Sequence, residues 1–508
     1  MRSKQLIFNI VANVLSVLVS LFVSFFLTPY IVTSIGKEAY SFVPISNNFV
    51  QYMSILTIAL TSMTSRFVTL SLHKDDREKA NAYYSTSFFT NLIVATISVA
   101  IGIFIVLSLD KIIDIPQNIL GDVRLLFLFM FLMFFVNVST STFSVPMFSV
   151  NRIDITGMVT ILSILARLVV IVVTFTFFPP HVYFIGLSIL AYMGVQGVLN
   201  FIFARKVSPD LKISMKSIRL SFAKELASSG IWNSFNQLSS SLMTGMDLLI
   251  ANIMLGASAA GTLAVAKTAP MALQMLTNVI PQAFAPHLTI TYAKEKHEVF
   301  LKELLSTMKI TALLTGIPIA GFIALSNEFF TQWVPLMDNG ELSNLAILTM
   351  ISMVASFGVL PLLYLFTITN KLRVPSMVVF ALGLLNILVV IVLLNTTDLG
   401  LVAIAGISSI LESFRYLVFV PIYASHCLNE KRSLFYPSII RSLVYMVILL
   451  LGFELITLLL PAASWTGILL DAFLMVVFGG IVGFLFLLDH EIRNKVIFIF
   501  RTKILKHP

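Results

Sequence analysis

The chain has 508 residues, 58% of them hydrophobic and only 11% charged, with a mean hydropathy of +0.97. Soluble domains carry about 25% charged residues, and no polar stretch here is long enough for an extramembrane domain, so a soluble enzyme is excluded and a polytopic membrane protein implied. The net charge of +9 could suggest nucleic acid, but the placement of the cations explains it otherwise.

Apolar runs predict an all-α chain of fourteen transmembrane helices, at 7–34, 40–70, 81–108, 123–150, 155–178, 182–204, 225–254, 258–290, 303–325, 342–369, 374–395, 399–425, 437–460 and 465–488. Several exceed the ~20 residues a bilayer needs, so tilts and kinks are expected, with Pro29, Pro44, Pro146, Pro270, Pro281 and Pro361 as candidate hinges. Met1 to Lys4 and the long apolar run after them read as an uncleaved anchor, without the cleavage site of a signal peptide. Cys427 is the sole cysteine and the seven histidines are scattered, so neither an internal disulfide nor a metal site is expected.

Of the 33 Lys and Arg residues, 25 fall in loops and tails on one side, including Arg205, Lys206, Lys212, Lys216, Arg219 and Lys224. Three (Lys37, Lys111, Arg124) fall on the other side, and five (Arg66, Arg167, Lys267, Lys309, Arg415) lie inside or near the ends of spans. The positive-inside rule then places both termini in the cytoplasm, and the net charge is topological.

Two spans share a polar stripe at a constant offset of 220 residues: Asn13, Ser16, Ser20 and Ser24 in one, Asn233, Asn236, Ser240 and Thr244 in the other. Steps of three and four residues put each set on one helical face. Lipid cannot hydrogen-bond such a face, so it should meet protein or a water-filled cavity. Close helix packing by small residues is the competing account; the amides Asn13, Asn233, Asn236 and Gln237 favour a cavity. The offset continues through Ile35-Gly36 and Leu255-Gly256, Leu56 and Leu276, and Thr69 and Thr289, so the repeats are parallel. The expected organisation is a six-helix lobe over 1–205, a cytoplasmic linker over 206–224, a second lobe over 225–428, and two extra helices with a tail over 429–508. The linker reads either as an amphipathic helix on the inner leaflet or as a solvated basic loop.

These features, with the turns Ser34-Ile35-Gly36-Lys37-Glu38-Ala39-Tyr40 and Met254-Leu255-Gly256-Ala257, resemble the multidrug/oligosaccharidyl-lipid/polysaccharide exporter superfamily. Within it the likeness is closest to Wzx-type flippases, which export O-antigen, capsule or teichoic-acid precursors. The resemblance implies outward flipping of undecaprenyl-pyrophosphate-linked oligosaccharides by alternating access in the bacterial cytoplasmic (inner) membrane. It also implies a lipid-linked substrate, membrane lipids around it, and polysaccharide polymerases and glycosyltransferases as pathway partners. The fourteen spans are similar to those of lipid II flippases, in which the last pair forms a groove for the lipid tail.

An ionisable group inside a span suggests function by default. Arg167 lies 13 residues past Asp154, near mid-membrane, and suits an anionic cargo; a structural partner is the alternative. Glu412 and Arg415 are three apart on one face, either an ion pair or a tuned ion-coupling carboxylate. Asp247 and Lys267 flank the turn at Gly256 at similar depth, as a salt bridge or a cavity border. Arg66 is within snorkelling reach of the basic loop, so anchoring and phosphate capture are both open. Glu454 and Asp471 read as interfacial.

The cavity residues expected to bind substrate are thus Arg66, Arg167, Lys267, Asn13, Asn233, Asn236 and Gln237, with Asp247, Glu412 and Arg415 as ion-coupling candidates. No catalytic residue, cofactor or nucleic-acid partner is expected, and the chain is expected to act as a monomer. No Walker motif is present, so an ion gradient or the membrane potential supplies the energy. The rival readings are a multidrug cation antiporter, which would carry acidic residues in its first lobe, and a membrane-embedded polysaccharide polymerase.

Overall fold

The computed structural model describes residues 2–150, 152–369, 371–490 and 493–494, and every regular element among them is helical. The first helix, α1 (Arg2–His73), is continuous except at Gly36, where φ 82° and ψ 158° kink the chain. It is followed by α2 (Arg77–Leu107), α3 (Leu120–Thr140), α4 (Val145–Ser149), α5 (Ile153–Phe177) and α6 (Tyr183–Val207). Next come α7 (Leu220–Ser240), α8 (Asp247–Leu255) and α9 (Ala257–Lys294). The remainder is α10 (His297–Trp333), α11 (Asn339–Ser356), α12 (Leu360–Ile368), α13 (Arg373–Thr396), α14 (Leu401–Phe414), α15 (Val420–Cys427), α16 (Tyr436–Leu459) and α17 (Trp465–Phe486).

Ten helices among the described residues are long and apolar enough to cross a membrane, and twelve if the bent pairs α7–α8 and α11–α12 each cross once. The chain is a multi-pass membrane protein. Fourteen crossings require Leu18–Leu72 to cross twice, turning at Gly36, and α9 to cross as well, which we propose.

Two compact units emerge, 1–264 and 265–508. Residues 206–224, expected to separate two six-helix lobes, therefore lie inside the first unit. Packing explains this. Gly230 of α7 seats directly on the backbone of Ala59 of α1, where a Cβ would collide with the Ala59 carbonyl. Small residues let helix backbones approach this closely. Near the turn at Gly256, Asn252 accepts from the Asp114 amide at 2.9 Å and donates to its carbonyl at 3.0 Å, and Lys37 donates to Thr262 at 3.3 Å.

Of the two readings of the linker, the amphipathic helix does not form. Residues 208–219 run as a strap with extended backbone at Ser214 and Arg219 and one short 3₁₀ turn at Met215–Ser217. Side chains of α2 satisfy its backbone. Asn81 accepts from the Lys212 amide at 2.7 Å, Ser85 accepts from Ser214 at 3.0 Å, and Thr86 accepts from Arg219 at 3.1 Å. Ion pairs Arg77–Asp210 at 3.0 Å and Arg219–Glu78 at 3.4 Å flank the strap. Tyr83 stacks on Phe222 at 4.2 Å and donates to Glu225 at 2.7 Å. Backbone groups held by α2 are not available to wind a helix.

In the second unit the two last helices pack on α10. Tyr445 of α16 donates to the Gly479 carbonyl of α17 at 2.9 Å, and Asp489 binds both Lys309 and Arg441. The appended pair is thereby part of that unit's core, through Tyr445, Leu449, Phe453 and Met475.

The repeat is visible in the backbone. Gly36 and Gly256, 220 positions apart, both have positive φ, 82° and 91°, with ψ of 158° and 170°. This region of φ/ψ space is open to glycine almost alone. Nothing lies within 4 Å of a Cβ built at Gly36, so conformation and not space fixes the residue. Gly36→Ala should therefore cost roughly 1–3 kcal/mol of stability, read as a lowered Tm in detergent. Gly121→Ala, at a site where φ is negative and the space equally open, supplies the control and should leave the Tm unlowered.

Candidate functional site

The first unit carries an accessible polar face where α7 packs against α1. Asn233 donates to Ser62 at 3.0 Å and Ser234 donates to the Ile55 carbonyl at 2.7 Å, which fixes the register of the two helices. One turn beyond Ser62, Arg66 is exposed. Along α7 and the turn after it, Asn236, Ser240 and Thr244 are exposed and Gln237 is half-buried. The expected stripe on this helix is thus open, with amides and hydroxyls that lipid cannot satisfy. Its counterpart on α1 is more enclosed: Ser16 is buried, Ser20 and Ser24 are half-buried, and the side chain of Asn13 lies outside the described residues. That face of α1 lies along α5, with Tyr30 at 5.7 Å from Phe175 and Ala12 against Gly157.

Between α7 and α8 the helix breaks. Residues Ser241–Gly245 form a π-helical turn and the axis bends by 41°. Such a turn leaves a carbonyl without its helical donor. Here Asn48 and Tyr52 of α1 supply it, donating to the Gly245 carbonyl at 2.8 and 2.9 Å. Asp247, 1% exposed, opens α8 beyond the break. Asn48 and Tyr52 are site residues that sequence reasoning missed. The only trace was the Ser-Leu-Met-Thr-Gly run, rich in residues that tolerate a broken helix.

Arg167 of α5 is half-buried and its Nε is enclosed without a hydrogen-bond partner. Its electrostatic neighbours are the phenols of Tyr40 on α1 and Tyr192 on α6. Among the described residues no carboxylate pairs with it, so the structural-partner reading finds no anion. Arg66 lies 26 residues beyond Tyr40 on the same helix, ~39 Å at 1.5 Å per residue. Arg66 and Arg167 are two separate cationic stations.

In the second unit, Arg415 bonds Glu412 at 3.0 Å, and its guanidinium lies 4.7 Å from the Tyr416 ring. Another π-helical turn, Arg415–Phe419, follows α14. Tyr416 borders a cavity of 160 Å³ whose polar lining is Gln274, Thr277, Asn278 and Ser356, beside the 55° bend between α11 and α12. Lys267 is buried, 6% exposed, and belongs to this unit while Asp247 belongs to the first. Asp471 of α17, expected near the interface, is enclosed by protein. It is 1% exposed, and its Oδ2 has no hydrogen-bond partner among the described residues. Its position near the start of an apolar span disguised this.

Removing one partner of a buried ion pair costs roughly 3–5 kcal/mol, because the other charge is stranded. Arg415→Met should therefore lower the Tm sharply, and Glu412→Gln/Arg415→Met should recover most of it. If the double variant is no more stable than the single, the pair is not a mutually compensating unit.

The fold and these polar stations define a multi-pass, all-helical membrane protein. It resembles lipid II flippase MurJ in its inward closed conformation, with a TM-score of 0.66 at 11% identity over 97% of this chain and 100% of that one. An inward-facing MATE-family multidrug resistance transporter of the MOP superfamily matches with a TM-score of 0.63 at 13% identity, over 82% of this chain and 96% of that one. At these identities the likeness concerns the fold.

The chain belongs to the polysaccharide biosynthesis protein family, whose model matches residues 6–292. It is also 30% identical over 501 residues to the uncharacterized membrane protein EpsK of Bacillus subtilis (strain 168), covering 97% of each.

Proposed function

We propose that this protein flips undecaprenyl-pyrophosphate-linked oligosaccharide repeat units across the bacterial cytoplasmic membrane, by alternating access, for surface polysaccharide synthesis. Both termini would then be cytoplasmic, on the side that carries most of the cations. The observation that carries the reading is Arg167, a cation within an apolar helix that no carboxylate neutralises among the described residues. Keeping such a charge in a membrane is costly, and an anionic cargo removes the cost whenever it binds. A guanidinium grips phosphate oxyanions through two parallel hydrogen bonds. A cationic drug would meet repulsion at the same place, which disfavours the antiporter reading.

Arg66 is placed to receive the pyrophosphate at the basic end, and Arg167 to hold it deeper. Asn233, Asn236, Gln237, Ser240 and Thr244 offer amides and hydroxyls that can exchange hydrogen bonds with sugar hydroxyls. The isoprenoid tail stays in lipid. Asp247, buried at the break between α7 and α8, and Glu412, bonded to Arg415, are the candidate coupling carboxylates. Lys267 is a further cation for acidic sugars. The family's place in polysaccharide biosynthesis supports the cargo class.

The test is surface-glycan export in a strain that depends on this protein. Arg167→Ala should abolish export while the protein stays in the membrane at its normal level. Arg167→Lys should retain a small fraction of export, because a point charge replaces the bidentate fork. Normal export by Arg167→Ala would remove Arg167 from the path of the cargo.

A further inference from the structure

Beneath the strap, at the end of the first unit where α6 meets the basic segment, lies a cavity of 450 Å³. Its walls combine three chemistries. Phe143, Phe201 and Ile213 are apolar, and Phe201 stands where the apolar α6 gives way to Arg205 and Lys206. Arg205 and Lys212 supply two positive charges. Tyr84 is 3% exposed, yet its hydroxyl makes no hydrogen bond among the described residues and is not sealed from the cavity.

Several cations around this cavity are neutralised: Arg77 by Asp210, Arg219 by Glu78, and Arg152 by Asp154 at 3.0 Å. The two that line it are not. Arg205 has its guanidinium 4.4 Å from the Phe201 ring, and among the described residues neither it nor Lys212 pairs with a carboxylate. Two uncompensated cations and a hydroxyl donor call for an oxyanion. Aromatic and aliphatic walls at the edge of an apolar span call for a hydrocarbon chain beside it.

We propose that this cavity is a binding site for a phosphate-headed lipid. Arg205, Lys212 and Tyr84 would hold the phosphate, and Phe143 and Phe201 would flank the first carbons of its chain. Because the strap forms one wall and Lys212 belongs to it, an occupied site would also pin the strap against α2 and α6. The inference stands apart from the export reading, since the residues are different and binding is measured directly.

The test uses the purified full chain in detergent, with thermal stabilisation read against the concentration of four probes: farnesyl phosphate, dioctanoyl phosphatidylglycerol, farnesol and inorganic phosphate. Farnesyl phosphate should raise the Tm. Arg205→Gln/Lys212→Gln, which touches no buried pair, should need about tenfold more of it for the same shift, the loss expected for one to two charge-assisted contacts. Tyr84→Phe should weaken the response less. An equal response to phosphatidylglycerol, lost in the same double variant, supports the site as a general phospholipid site. A response to farnesyl phosphate alone supports an isoprenoid-phosphate site. An equal response to farnesol or to inorganic phosphate, no response to any probe, or an undiminished response in the double variant would overturn the proposal. Should the double variant fail to fold, Lys212→Gln and Tyr84→Phe carry the same readout singly.

Discussion

Every feature of this protein follows from one constraint: hydrocarbon cannot hydrogen-bond or solvate a charge. That constraint makes the helices long and continuous, and it makes each departure from apolar helix informative. Most buried polar groups here are answered from within. Ser and Thr hydroxyls return to carbonyls three or four residues back, as Thr64 does to Leu60 at 2.9 Å and Ser163 to Val159 at 2.8 Å. Asn386 and Ser408 answer each other at 3.2 Å. Among the described residues some groups are left over, of which the charged ones include Arg167 and Asp471, and the amides and hydroxyls of α7 stand exposed. Function is sought where the internal accounting fails.

The helix breaks obey the same constraint. Each costs the chain at least one carbonyl its donor, and in the first unit the protein repairs that loss with Asn48 and Tyr52. A break that is answered by side chains of another helix couples the two. Any movement of α1 relative to α7 must exchange the Gly245 carbonyl's donors, so the pair behaves as a joint with a defined set of positions. Asp247 sits one residue past Met246 at that joint, buried at the start of α8.

Much of the fold was legible in the residues. Hydropathy located ten to twelve of the spans, and Gly36 and Gly256 marked equivalent turns, because that positive φ with extended ψ is open to glycine almost alone. Hydrogen-bond geometry was not legible. The sequence of the strap, with its cations spaced at helical intervals, left a helix and a basic loop both open. What decides it is Asn81, Ser85 and Thr86 on a distant helix, which take the backbone partners a helix would have used. The candidate site was half legible. The α7 stripe and Arg167 announced themselves as polar residues in apolar runs, whereas the separation of Arg66 from Arg167 depends on the three-dimensional course of α1. Tyr84 gave no signal, since a lone tyrosine near a helix start is ordinary core material.

The central claim is that the polar stripe of α7 meets water rather than lipid. Cys427 is buried and is the one native cysteine, so Cys427→Ser provides a clean background. In that background, Ser240→Cys should react with a charged, water-soluble maleimide in membrane vesicles, and Leu469→Cys on the apolar α17, where the native leucine is 68% exposed, should not. Reaction at position 240 with silence at 469 is the predicted result. If position 240 is as unreactive as 469, the stripe is dry and the account of a hydrated path fails.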